Sequence, residues 1–190
     1  MNKLRIIFMI ILLAQGAFGT IRYVSKTGSS TPPYISWETA SDSIQKCFNL
    51  CVDGDTVIVA NGVYKESLII NAAITFIGSS MDSCLLSGVQ DKIYTIRSYN
   101  NVVIQGFGIS GRLDYAYRGI IQKDFYGSIK VTNCRIYNCY CAINTYQSSD
   151  TLRNLIISNV EVGIETWCTL QTCFPVLLNS LIYVTQENGV

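Results

Sequence analysis

The sequence predicts an all-β chain: a right-handed, single-stranded parallel β-helix closed at its N-terminal end by one amphipathic helix. Three observations predict it. A short phrase recurs with its apolar residues in the same places: Val103 to Ile109, Val131 to Ile136, Leu152 to Ile157 and Leu177 to Ile182. The copies end 27, 21 and 25 residues apart, an irregular period of the kind that coiled solenoids show. Each copy is followed by a small residue and an aliphatic one: Gly119-Ile120, Ala142-Ile143, Gly163-Ile164 and Gly189-Val190. One such unit cannot bury its apolar side alone, so consecutive coils must stack. The period implies about six of them.

Residues 1–19 have the form of a signal peptide. Lys3 and Arg5 form a charged start, and Ile6 to Ala14 is an apolar stretch too short to cross a bilayer. Ala17 and Gly19 then supply small residues at the −3 and −1 positions of a cleavage site. The expectation is a chain starting near Thr20, secreted or at the cell surface, with no membrane span left after cleavage. Residues 20–54 hold a strand (Ile21 to Val24), a run of turn formers (Thr27 to Pro33) and a helix from about Glu38 to Cys51. Ile44, Cys47, Phe48 and Cys51 recur at helical spacing, giving that helix an apolar side for the open end of the first coil. Asp53-Gly54-Asp55 ends it. Residues 55–190 are strand, turn, strand throughout: 56–60, 67–70, 74–77, 84–86, 94–96 and then the repeats. The sequence stops at Gly189-Val190, where earlier copies continue into a strand, so it reads as the front part of a longer, C-terminally truncated β-helix.

Composition excludes several classes. The formal charge is +1, and +1 less the two charges of Lys3 and Arg5 is −1 after cleavage. A near-neutral chain with no basic cluster argues against nucleic acid and anionic lipid as partners. Histidine is absent, which removes histidine-based triads and histidine-ligated metals. No pair of Cys-x-x-Cys motifs is present either, so neither a metal nor a cofactor is expected. The 8 cysteines lie beyond the leader, where an exported chain permits disulfides. Cys168 and Cys173 bracket a short loop and are the first candidates for a bridge. Cys47 and Cys51, one helical turn apart, are expected as small core residues, and the remaining connectivity stays open.

The competing architecture is a leucine-rich repeat, because Leu152-x-x-Leu155-x-Ile157-x-Asn159 matches its strand segment. The match does not propagate: Asn138 occupies the Asn159 position one copy earlier, but Gly111 and Val184 occupy it elsewhere. The column that persists is Asn133, Asn154 and Asn179. Asparagines stacked at one turn can hydrogen-bond to each other along a solenoid axis.

The stretch Gly54-Asp-Thr-Val-Ile-Val-Ala-Asn-Gly-Val-Tyr64 resembles the first coil of right-handed parallel β-helix proteins of the pectin-lyase-like class. Ile74-Thr-Phe-Ile-Gly78 with Cys84-Leu-Leu-Ser-Gly88 is similar to their second coil, and the Asn-x-x-Ile…Gly-Ile repeats to later ones. The resemblance covers residues 20–190 and implies the fold. For activity it implies a polysaccharide lyase or glycoside hydrolase, enzymes that use clustered aspartates, an Arg or Lys, and often calcium. None of those clusters is visible here. Asp53 and Asp55 are the only close carboxylates and are expected to serve the turn. No catalytic residue carries over.

A surface column follows from strand alternation. With Ile120, Ile143 and Ile164 inward, Ile121, Asn144 and Glu165 face outward, and two residues on so do Lys123, Tyr146 and Trp167. Stacked coils put Tyr146 over Trp167 beside Asn144 and Glu165, and aromatic faces next to polar groups suit a sugar chain. The first expectation is therefore an exported domain that binds or processes polysaccharide, with Tyr146, Trp167, Glu165 and Asn144 as ligand contacts. The second is a non-catalytic surface or adhesin-type stalk, in which the aromatic pair only stabilises the sheet.

Overall fold

A computed structural model describes residues 19–113, 116–122, 127–146, 149–167 and 175–184. The chain winds as a parallel β-helix with three faces. The first face stacks β1 (Ile21–Val24), β2 (Thr56–Val59), β5 (Thr75–Gly78), β8 (Val102–Gln105), β11 (Ile129–Thr132), β13 (Thr151–Arg153) and β15 (Val176–Leu178), in that order. The second begins with β3 (Gly62–Lys65), β6 (Cys84–Ser87) and β9 (Gly108–Ser110); the third with β4 (Leu68–Ile70), β7 (Tyr94–Ser98) and β10 (Arg118–Gln122). Two long strands, β12 (Arg135–Tyr146) and β14 (Ile156–Trp167), turn a corner and contribute to both. β16 (Leu181–Val184) continues the second face. Every pairing between these strands is parallel.

Each face contributes one column of inward residues, and the repeat sets its register. On the first face Val57, Phe76, Ile104, Val131 and Leu152 lie in successive register. On the second the column is Tyr64, Leu86, Ile109, Ile136 and Ile157; on the third it is Leu68, Ile96, Ile120 and Ile143. All of these side chains are buried in one continuous core. A slip of one residue would turn every inward side chain outward, so the alternation holds the coils in place.

The corners need a left-handed backbone, which asparagine tolerates better than other side chains. Asn133, Asn154 and Asn179 have φ of 52, 53 and 46°. Asn154 Nδ2 donates to Asn133 Oδ1 at 2.8 Å, and Asn179 Nδ2 to Asn154 Oδ1 at 2.9 Å. The expected ladder is therefore present. A second one stands at the next corner, where Asn159 Nδ2 donates to Asn138 Oδ1 at 2.6 Å. Asn138 (φ 54°) and Asn159 (φ 52°) bend β12 and β14. Above the first ladder the position is held by Gly106, at φ +78°, where a Cβ would sit 2.4 Å from the Gly78 carbonyl oxygen. Only glycine fits that turn.

The capping helix α1 covers Ile44–Phe48, shorter than the predicted Glu38–Cys51. The missing turns are spent on other bonds. Ser41 N donates to Tyr23 O and Ser41 O accepts from Ser25 N, which holds residue 41 extended against β1. Ser36 and Thr39 bond to each other and to the local backbone, an alternative to helical bonding that hydroxyl side chains offer. The helix starts at Ser43, whose side chain accepts from Lys46 N. Ile44, Cys47 and Phe48 face the core.

Two side chains fit this helix to the solenoid. Glu66 accepts from Ser43 Oγ (2.8 Å), Ile44 N (3.0 Å) and Gln45 N (3.0 Å), so a carboxylate closes the helix N-terminus. The Gln45 amide accepts from Ile69 N (2.8 Å) and donates to Ile69 O (3.1 Å), pairing with the outer edge of β4 as a strand would. That edge is thereby blunted against other chains. Glu66→Ala is expected to cost about 1–2 kcal/mol, the range of a lost N-terminal cap. Urea unfolding measures it; a loss under about 0.3 kcal/mol would mean Glu66 does not hold the cap.

Strand β3 was not predicted as a separate strand. Tyr64 within it is fully buried, and its hydroxyl donates to Ala60 O at 3.0 Å. The run is too short to show alternation by itself.

Candidate functional site

The third face carries the aromatic column. Ile120 and Ile143 are buried and Ile164 packs against the core, so the residues beside them alternate outward. Ile121, Asn144 and Glu165 lie in register, and Tyr146 pairs with Trp167. The two rings are nearly parallel, 13° apart with centroids 6.3 Å from each other. Trp167 is 53% exposed while Tyr146 is half-buried. The distance exceeds the roughly 4.8 Å strand spacing, which places the rings in an offset rather than a direct stack.

The polar pair behaves differently from a free surface. Asn144 is only 3% exposed, and its Nδ2 donates to Glu165 Oε2 at 2.5 Å. An asparagine in the middle of a stacked face is covered by its neighbours, so its amide is spent on the next coil. Thr145 Oγ1 makes a similar bond to Thr166 Oγ1 at 3.3 Å. Glu165, itself half-buried, is the carboxylate nearest the aromatic pair along its strand. Lys123, Cys168 and Cys173 lie outside the described residues.

Arg97 was missed. The same register carried toward the N-terminus runs Ile69, Arg97, Ile121, so a guanidinium stands on this face two coils before Asn144. It lies over the Tyr94 ring at 4.0 Å. The signal was available: a strand with Ile96 inward must turn residue 97 outward.

The two close carboxylates serve structure. Asp55 is completely buried; Oδ1 accepts from Thr20 N at 2.7 Å, and Oδ2 accepts from Arg22 Nε and Val52 N, each at 3.1 Å. Arg22 Nη1 also donates to Pro33 O at 2.8 Å. Asp53 Oδ1 accepts from Ala73 N at 2.8 Å. Among the described residues, no three His, Cys, Asp or Glu side chains converge as metal ligands, and no helix is long and apolar enough to cross a membrane. The 6 described cysteines carry free thiols.

No family model and no curated protein sequence matches the chain. Among solved structures it is similar to a pectin methylesterase variant in complex with a hexasaccharide, at 13% identity and a TM-score of 0.48. It is also similar to pectin methylesterase PemA from Erwinia chrysanthemi, at 10% identity and a TM-score of 0.48. Each match covers 77% of this chain and 55% of the other, so the chain spans about half the length of those esterases.

Proposed function

We propose that this chain is an exported β-helix domain that binds polysaccharide on its third face, with Tyr146 and Trp167 as the sugar contacts. The carrying observation is the parallel pair of rings with Trp167 more than half exposed. A large indole left open to water on a rigid sheet is a preformed apolar platform for the C–H face of a sugar ring. Glu165 beside it accepts hydroxyl hydrogen bonds, while Asn144 orients Glu165 rather than reaching the ligand. The leader over residues 1–19 supports secretion or display at the cell surface. One carboxylate beside an aromatic pair supports binding; cleavage of the bound chain needs a further acid or base.

The stalk reading has its own observation. Asn144 bonds to Glu165 and Tyr146 stacks on Trp167, so the column also ties two coils together. Mutation separates the two. Trp167→Ala and Tyr146→Ala are each expected to weaken polysaccharide binding by about 1–3 kcal/mol, as truncated aromatic anchors do. Affinity electrophoresis against plant and microbial polysaccharides reads the change after a glycan-array screen of the wild type. Should nothing bind, or should both variants bind like the wild type while losing stability, the face is a structural stack.

A further inference from the structure

We propose that the bond between Gly19 and Thr20 is a processing site whose product, the Thr20 α-ammonium, folds onto the buried Asp55 carboxylate as a second cation beside Arg22. The inference rests on the export reading. Three facts meet at this bond. Ala17 and Gly19 give the leader its small residues at −3 and −1. The nitrogen that cleavage would free is Thr20 N, already 2.7 Å from Asp55 Oδ1. Thr20 O accepts from Thr56 N at 2.9 Å, so the residue is fixed at the head of the first face.

The register leaves no slack. Cleavage one residue later would delete the nitrogen that Asp55 holds; cleavage earlier would carry the charge away from it. An endopeptidase of the leader-removing class hydrolyses the amide before folding. Water's oxygen adds to the Gly19 carbonyl carbon, the C–N bond breaks, and water's protons leave Gly19 a carboxylate and Thr20 an ammonium at neutral pH. Folding then replaces a bond charged only on the carboxylate with an ammonium–carboxylate ion pair, charged on both sides.

The test uses the full chain exported from a host cell. N-terminal sequencing is expected to return Thr20. In the folded protein the α-amine should react with an acylating reagent at least about tenfold more slowly than in the urea-unfolded chain at the same pH, the factor that 1.4 kcal/mol gives. Acetylating that amine in urea and refolding should lower Tm by about 2–4 °C. In Asp55→Asn the reactivity difference should shrink toward one. If that variant does not fold, the reactivity and Tm of the unaltered chain decide. A Thr20 terminus that reacts equally fast folded and unfolded, with Tm unmoved by acetylation, overturns the ion pair and leaves export standing. A chain that retains residues 1–19, or begins elsewhere, overturns the processing site and export through this leader together.

Discussion

Phe76→Ala is expected to destabilise the chain by about 3–5 kcal/mol, the cost of emptying a large aromatic site in a packed core. Phe76 is fully buried on the first face, in register between Val57 and Ile104. Its ring meets Phe48 of the capping helix edge-on at 4.9 Å and stacks on Phe107 at 4.2 Å. One side chain thus joins the cap to the first coils, and its loss removes two ring contacts as well as buried area. In a solenoid, stability is a sum of repeat and interface terms, so the damage should begin at the N-terminal end. The two tryptophans, Trp37 near β1 and Trp167 on β14, report on opposite ends. Urea unfolding of single-tryptophan variants should show the Trp37 transition moving to lower urea first. Phe76→Leu, which keeps most of the volume, should cost under about 1.5 kcal/mol. A loss below about 1 kcal/mol for Phe76→Ala would show that the cap is held by polar contacts alone.

Much of this architecture was legible because a solenoid repeats its own evidence. The same apolar position returns in every coil, so Ile136, Ile157 and Ile182 align in the sequence, and the structure places them in register on neighbouring strands. The asparagine ladder was legible for the same reason. Features that occur once were not. The expected helix is longer than the observed one because Ser36, Thr39 and Ser41 suit a helix start as well as the turns they form. Glu66 and Gln45 act across 20 or more residues, and no local pattern pairs a helix terminus with a later strand edge. On the third face the register of Asn144, Tyr146, Glu165 and Trp167 followed from alternation alone. The burial of Asn144 did not, since neighbouring coils decide how deep an outward residue lies.

Raising the pH should unfold this chain between pH 9 and about 10.5, because its core is lined with thiols. Burial pushes Cys84, Cys139 and Cys141 up to about 12, and Cys134 up to about 11. In the unfolded chain the same groups titrate near about 8.5. A group whose folded value is raised supplies stability that is complete below the unfolded value and lost as pH climbs toward the folded one. Between about pH 8.5 and 10.5 each thiol ionises only in the unfolded state, at about 1.4 kcal/mol per pH unit. Two units across four thiols is on the order of 10 kcal/mol, comparable to the 5–15 kcal/mol that holds a whole domain together. The expected result is a steep, reversible loss of β circular dichroism between pH 9 and about 10.5 in reducing buffer, with full stability kept at pH 7. Replacing Cys84, Cys134, Cys139 and Cys141 by alanine trades some packing at neutral pH for a flatter profile. The variant should be weaker than the wild type at pH 7 and should lose far less on going to pH 10. Parallel profiles for the two proteins would assign the alkaline transition to tyrosine and lysine instead. Equal iodoacetamide labelling of all four thiols in the folded chain at pH 8 would show that the core does not shield them.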